Sequence, residues 1–331
     1  MMKQVILGVA AAALLTGSAL AEDIQPAVVY DLGGKFDKSF NEAAYTGAER
    51  FKEETGIDYR DFEIQNDSQR EQALRNFARR GANPVIAIGF SHANALEKVA
   101  QEFPETKFAI VDMVVDLPNV RSIVFKEHEG SYLVGLLAAM ASETGKVGFV
   151  GGMDIPLIRK FACGYKQGVL ETKADAEVFQ NMTGTTGAAW TDPVKGGELA
   201  KSQIDRGADV IYHAAGGTGL GVLQAAADAG KLGIGVDSNQ NAVHPGQVLT
   251  SMVKRVDVAV ATAFNDAREG KWTSGFYSLG LAEDGVDWAL DEHNEALITP
   301  EMKAAVDQAK ADIIAGKIEV HDYMATQDCP F

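Results

Sequence analysis

Excess basic charge, abundant cysteine and a membrane-spanning apolar run are all missing from this chain. Its 30 Lys and Arg stand against 46 Asp and Glu, a formal net charge of −16. So acidic a surface repels phosphate backbones and anionic lipid, which argues against nucleic acid and membrane surfaces as partners and for a neutral or zwitterionic ligand. Cysteine occurs only at Cys163 and Cys329, and the six histidines show no metal-ligand spacing with each other or with the cysteines. No metal site is therefore expected. The signatures of common enzymes are also missing. No Gly-x-Gly-x-x-Gly with a later acidic residue follows the first strand, and Gly216-Gly-Thr-Gly219 lacks the Lys-Ser/Thr pair of a P-loop. Neither a Gly-x-Ser-x-Gly elbow nor His-Glu-x-x-His appears after residue 21. No cofactor is expected.

The start of the chain does carry a signal. Lys3, an apolar run from Val5 to Leu15 and Ala19-Leu-Ala21 form a secretory pattern with an Ala-x-Ala cleavage site. The run falls short of the about 20 residues a bilayer span needs. No cysteine follows the cleavage site, so the expected product is a free periplasmic protein without a lipid anchor. In an oxidising compartment Cys163 and Cys329 can bridge; the alternative is two separate thiols. Closing a long loop favours the bridge. The length, 331 residues, suggests two domains, since single cores stop growing at roughly 250–300 residues.

From Ile24 to Gly270 strand and helix signals alternate, which reads as α/β with two doubly wound, mostly parallel sheets. Ala27-Val-Val-Tyr30 is a short β-prone run that ends at Asp31, followed by a glycine turn and a helix from Phe40 to Gly56 with Ser39 as its N-cap. Further on, a helix from Pro156 to Thr172 is expected, and near the end a helix from Pro300 to Gly316 and a short strand from Lys317 to His321. Polar and aromatic residues collect where strands run into helices: Asp31 to Asn41, Gly89-Phe-Ser-His92, Asp112, Gly216-Gly-Thr218 and Asp237-Ser-Asn-Gln240. The opposite loops carry generic surface chemistry. In an open parallel sheet that asymmetry points to a ligand crevice at the carboxyl ends.

Gly34-Lys-Phe-Asp-Lys-Ser-Phe-Asn-Glu42, Phe108-Ala-Ile-Val-Asp112, Phe125-x-x-x-Glu-Gly-Ser-Tyr-Leu-x-Gly135, Ala215-Gly-Gly-Thr-Gly219, Gly235-Val-Asp237 and Ser251-Met-Val-Lys254 resemble, in this order, the basic membrane protein (BMP) family. Its members are substrate-binding proteins of ABC importers with a type I periplasmic binding fold, and the purine-nucleoside receptors are the best understood. The resemblance implies lobe 1 from residues 22–125 and about 255–290, and lobe 2 from 126–254 and about 291–331, joined by crossing strands. It implies a monomer that delivers a purine nucleoside such as guanosine, adenosine or inosine to an inner-membrane ABC permease, and no enzyme activity.

Carried over by position, Phe40 stacks on the base from one lobe and Trp190 from the other, with Asn41 and Asp112 available to the base edge. Asp237 and Lys254 hold the ribose hydroxyls, and Gly216 lets the sugar approach the backbone. Asp31 contacts ligand or orders the first turn, and Phe161 is a cleft or a core residue. His92 and His213 are structural, and Asp37 is a turn residue. A free purine base, a flavin or a sugar are alternative ligands for the same receptor. A nucleosidase using Asp112 or Asp237 is the rival class.

Overall fold

Residues 24–331 are described by the computed structural model; Met1–Ala21, with its secretory pattern, lies outside them. The first sheet takes β1 (Ala27–Tyr30), β2 (Arg60–Glu63), β3 (Val85–Ile88), β4 (Phe108–Val111), β5 (Val120–Phe125) and β11 (Gly275–Leu279) in the order β11-β5-β4-β3-β1-β2. The second takes β6 (Lys146–Met153), β7 (Glu177–Gly184), β8 (Val210–Ala214), β9 (Leu232–Asp237), β10 (Val248–Lys254) and β12 (Val286–Trp288) in the order β12-β10-β9-β8-β6-β7. The two orders are the same doubly wound pattern repeated. All pairs are parallel except β10 with β12.

Period-two alternation explains why helices cover both faces of the first sheet. Val28 and Tyr30 of β1 point into one core with α1 (Phe40–Thr55) and α8 (Val256–Arg268). Ala27 and Val29 point into the other, under α2 (Gln69–Arg79) and α3 (Ala93–Glu102). In the second sheet α6 (Pro193–Asp205) and α7 (Gly219–Asp228) pack together on one side, and α4 (Glu127–Ala141) and α5 (Pro156–Thr172) pair on the other.

The chain passes between the sheets three times: at Phe125 into α4, at Lys254 into α8, and from β11 to β12. The crossings are tied together, with Lys126 N–H donating to Leu279 O (2.9 Å) and Arg255 N–H to Gly285 O (2.8 Å). The chain is back in the second sheet by Val286, and neither β11 nor β12 stood out in the sequence. β11 is an edge strand with Phe276 exposed, and β12 has three residues.

At the C-terminus the helix is α9 (Pro300–Ile314), but the expected strand from Lys317 to His321 does not form. A side chain takes the place of a strand partner there: Gln167 of α5 donates to Glu319 O (3.1 Å) and accepts from His321 N (2.8 Å). The tail, with α10 (Tyr323–Thr326), then runs over α5 to the Cys163–Cys329 disulfide, whose α-carbons are 5.7 Å apart.

Candidate ligand-binding site

The site begins where β1 ends. Gly33 and Gly34 turn the chain with φ of +108° and +74°, a region that favours glycine. Asp37, not Ser39, then caps α1. Its Oδ1 accepts from the backbone N–H of Ser39 (2.8 Å) and Glu42 (3.1 Å), and its Oδ2 from the N–H and side-chain amide of Asn41 (both 3.1 Å). All four lone-pair positions of the carboxylate are thus filled. The Ser39 hydroxyl is drawn away from the helix and donates across the cleft to Asp237 Oδ2 at 2.6 Å. Ser238 Oγ donates to Ser39 O (2.8 Å) and Gln240 Nε2 to Lys38 O (2.9 Å), so the two lobes touch directly at this corner.

Asp112 and Asp237 end β4 and β9, equivalent strands of the two sheets. Both adopt φ in the left-handed region, +69° and +62°. Non-glycine residues in that region are uncommon and cluster at ligand-binding and active sites. Asp112 Oδ2 accepts from Lys254 Nζ at 2.6 Å, while its Oδ1 is buried without a hydrogen-bond partner. Lys254 Nζ also lies 3.1 Å from Glu127 Oε1, and Glu127 pairs through Oε2 with Lys160. Phe40, Phe125 and Phe161 surround the Lys254 ammonium, with ring centroids 5.0, 5.2 and 5.6 Å away.

Burial sets the titration of these groups. It pushes Asp237 up to about 7, against the pull of Lys254 and the Ser39 hydroxyl, with Asp112 and Asp37 adding to the rise. Asp112 is also raised by burial, more than Lys254 lowers it. For Lys254 burial acts downward, but Asp112, Glu127 and Asp237 outweigh it and the ammonium is stabilised. Glu127 would be raised by burial, yet Lys160 and Lys254 together hold it below its usual value.

One cleft, about 620 Å³ of non-protein space counting the part open to solvent, is lined by all nine residues singled out in the sequence: Asp31, Phe40, Asn41, Asp112, Phe161, Trp190, Gly216, Asp237 and Lys254. Two of them are heavily engaged within the first lobe. Asn41 Oδ1 accepts from Asp31 N–H (3.0 Å) and its amide donates to Leu32 O (3.3 Å) as well as to Asp37. Asp31 pairs with Arg70 at 2.7 Å and accepts from Leu32 N–H. Asp37, read as a turn residue, stands on the cavity wall as well. His213 is buried and donates from Nε2 to Gln240 Oε1 at 2.9 Å; burial lowers it to about 4. His92 is fully buried and lowered to about 3, by burial first and then by Arg70.

Glu127 and Lys160 escaped the sequence reading. A carboxylate in the first turn after a crossing strand and a lysine next to Phe161 on a helix were the available signals, and both are ordinary surface patterns. Among the described residues Asp291, Glu292 and His293 bring three metal-capable side chains within 4.8 Å of one another. The Asp291 carboxylate there already accepts from Asn239, Asn241 and the His293 N–H, as a loop cap does.

Two α/β lobes of matching strand order, three crossings and a cavity between carboxyl strand ends define a type I periplasmic binding protein. Residues 24–323 match the family of PnrA-like ABC transporter substrate-binding proteins. The chain belongs to this BMP family, and its role is transport rather than catalysis: it binds a small solute for a cognate membrane permease. The ABC transporter nucleoside-binding protein BmpA of Lactococcus lactis is 33% identical over 92% of this chain and 91% of its own length. An Aeropyrum pernix ABC-transporter solute-binding protein of known structure is 32% identical, covers 90% of this chain and 93% of its own, and superposes with a TM-score of 0.82.

The relatives correct one expectation. A Pyrococcus furiosus protein, 34% identical over 87% of this chain and 75% of its own length, is named a lipoprotein, as are relatives from Pyrococcus abyssi and Pyrococcus horikoshii. Lipid anchoring, not free release, is the address these relatives carry, and the expectation of an unanchored periplasmic protein is withdrawn. A charged start and a short apolar run direct export. They say nothing about whether the exported chain is afterwards tethered.

Proposed function

We propose that the ligand is a purine nucleoside, its base between Phe40 and Trp190 and its ribose hydroxyls at Asp237 and Lys254. The observation that carries this reading is one cavity that combines aromatic side chains from both lobes with a carboxylate and an ammonium. A flat heterocycle gains from stacking on such rings. A vicinal diol needs an acceptor and a donor side by side, which Asp237 and Lys254 supply. The partnerless Oδ1 of Asp112 asks for a donor from the ligand, since a buried acceptor left unmade costs roughly 1–3 kcal/mol. Gly216, at φ +55°, leaves open a position where a Cβ would sit 3.6 Å from Trp190 O. The nucleoside-binding relative from Lactococcus lactis points the same way.

A free base would leave Asp237 and Lys254 without their diol, and a free sugar would leave the aromatic walls unused. Mass spectrometry of the small molecule released from purified protein, followed by titration of tryptophan fluorescence with a nucleoside, its base and ribose, separates these ligands. A nucleoside mass and a nucleoside preference of at least tenfold, about 1.4 kcal/mol, are expected. Equal binding of the base alone would overturn the assignment of the ribose contacts.

A further inference from the structure

The buried ion chain Asp112–Lys254–Glu127–Lys160 draws its members from four places: the end of β4, the end of β10, the first turn of α4 and the middle of α5. Only Asp112 and Lys254 reach the cavity wall. Glu127 and Lys160 stand behind them, 0% and 7% exposed in their side chains. Burying two such charges away from the ligand is costly, and a protein spared that need would place apolar side chains there.

Donor counting shows what the pair does for Lys254. An ammonium has three N–H donors. One goes to Asp112 Oδ2 at 2.6 Å; Glu127 Oε1, 3.1 Å away, attracts the ammonium as an ion pair without an aligned hydrogen bond, so it fixes where Nζ stands while the other donors remain for the ligand. Without Glu127 the ammonium would lose its anchor on the α4 side and would be free to swing toward Asp112. Lys160 holds Glu127 in turn: its Nζ pairs with Glu127 and donates to Phe125 O at 2.9 Å, on the first crossing strand. Each member touches the next with alternating sign, two negative and two positive, so the chain is balanced.

We propose that Glu127 and Lys160 are positioning residues that hold the Lys254 ammonium at the cavity wall with free N–H donors toward the ligand and balance its charge, so that Lys254 is shared between Glu127 and the site carboxylates. This inference rests on the nucleoside reading only for its affinity readout. Asp237 faces Lys254 from β10, Asp112 from β4, and Asp37 and Ser39 from the loop before α1. Glu127 faces Lys160, Lys254 and Asp112, with His128 beside it and Tyr212 within its field. Removing the charge of Glu127 gives Lys254 wholly to Asp112 and Asp237, and the acid limb of Asp237 moves to lower pH. Removing the charge of Lys160 leaves Glu127 to claim more of Lys254, and that limb moves to higher pH.

The test compares the wild type, Glu127→Gln, Lys160→Gln and the double variant. Calorimetry with guanosine across pH should show each single variant weakened about tenfold or more, as for a broken buried charge pair. The acid limbs of the two single variants should shift in opposite directions, and the double variant should recover most of both effects. A purely structural role predicts losses that add in the double variant and limbs that do not move, and that result would overturn the proposal. Glu127→Asp guards against misfolding, since it keeps the charge with a shorter reach; it should keep the wild-type limb while losing affinity. The same limbs are read in ligand-free protein from the carboxyl carbon shift of Asp237 by NMR. Wild type that ignores guanosine, with Glu127→Gln and Lys160→Gln still showing opposed Asp237 shifts by NMR, would refute the nucleoside reading and leave this inference standing.

Discussion

Asp237 is the residue on which a proton, the contact between the lobes and the proposed ribose contact meet. Its carboxyl titrates at about 7 in the folded protein, against an ordinary 3.8. Between those values the folded ligand-free protein holds a proton that the unfolded chain has released, so this group's contribution to stability is lost as pH rises through about 7. Asp31, Asp37 and Asp112 are raised too, which makes the difference between wild type and Asp237→Asn the informative quantity. Denaturant midpoints measured from pH 4 to 8 should fall with pH in the wild type and fall less steeply in the variant. With the proposed ribose contact, nucleoside affinity should run the other way and improve as pH rises toward 8, because it is the ionised carboxylate that accepts from a diol. An affinity that ignores pH would remove Asp237 from the ribose.

Stacking is tested at Phe40. Substitution Phe40→Ala should weaken nucleoside binding by about 1–3 kcal/mol, the range for an aromatic face on a base. Binding should also change the emission of Trp190. An unchanged dissociation constant would mean that the Phe40 ring serves Lys254 and not the ligand.

At the scale of elements, the start of α1 shows how a local motif can be misassigned. Ser39 directly before Phe40 has the residue type of an N-cap, and Asp37 that of a turn. The helix nevertheless takes its cap from Asp37, because Asp237 on the other lobe captures the Ser39 hydroxyl. Substitution Asp37→Ala should therefore cost stability near the upper end of the capping range, about 2 kcal/mol, seen as a lower denaturant midpoint. Ser39→Ala should lower that midpoint by less than Asp37→Ala, since it removes one bond to Asp237 rather than four in the cap, and in addition speed ligand release by removing a bond between the lobes. A larger stability loss from Ser39→Ala than from Asp37→Ala would reverse the assignment.

For the whole molecule, the disulfide decides where the C-terminal tail lies. Cys163 and Cys329 are 166 residues apart in sequence, and the tail after α9 is held to α5 by Gln167, which bonds Glu319 and His321, and by Lys166, which donates to Phe331 O. Thiol titration of the unreduced, denatured protein should find no free sulfhydryl. Cys163→Ser should lower stability by about 2–4 kcal/mol, the usual range for a native bridge. Two titratable thiols per chain would detach the tail from α5.

What the sequence determined by itself is the alternation of apolar strands and amphipathic helices, and with it two parallel sheets whose carboxyl ends carry the chemistry. These are local properties: a strand such as Ala27–Tyr30 and the polar turn after it are read within a dozen residues. That is why Asp31, Phe40, Asn41, Asp112, Gly216 and Asp237 stood out at their own strand ends and turns, whereas Phe161, Trp190 and Lys254 were placed by the resemblance to the BMP family; all nine line the cavity. Tertiary structure alone decided which of them are engaged and by whom. It tied up the amide of Asn41 and the carboxylate of Asp37 in a cap, moved the Ser39 hydroxyl to Asp237, and replaced the expected strand from Lys317 to His321 with contacts to Gln167. It also assembled Glu127 and Lys160 behind Lys254, from helices on either side of a complete strand. The physical reason is the range of the interactions. Backbone preference and apolar periodicity act between neighbours in sequence, whereas hydrogen bonds and buried charges are satisfied by whatever packing brings within about 3 Å.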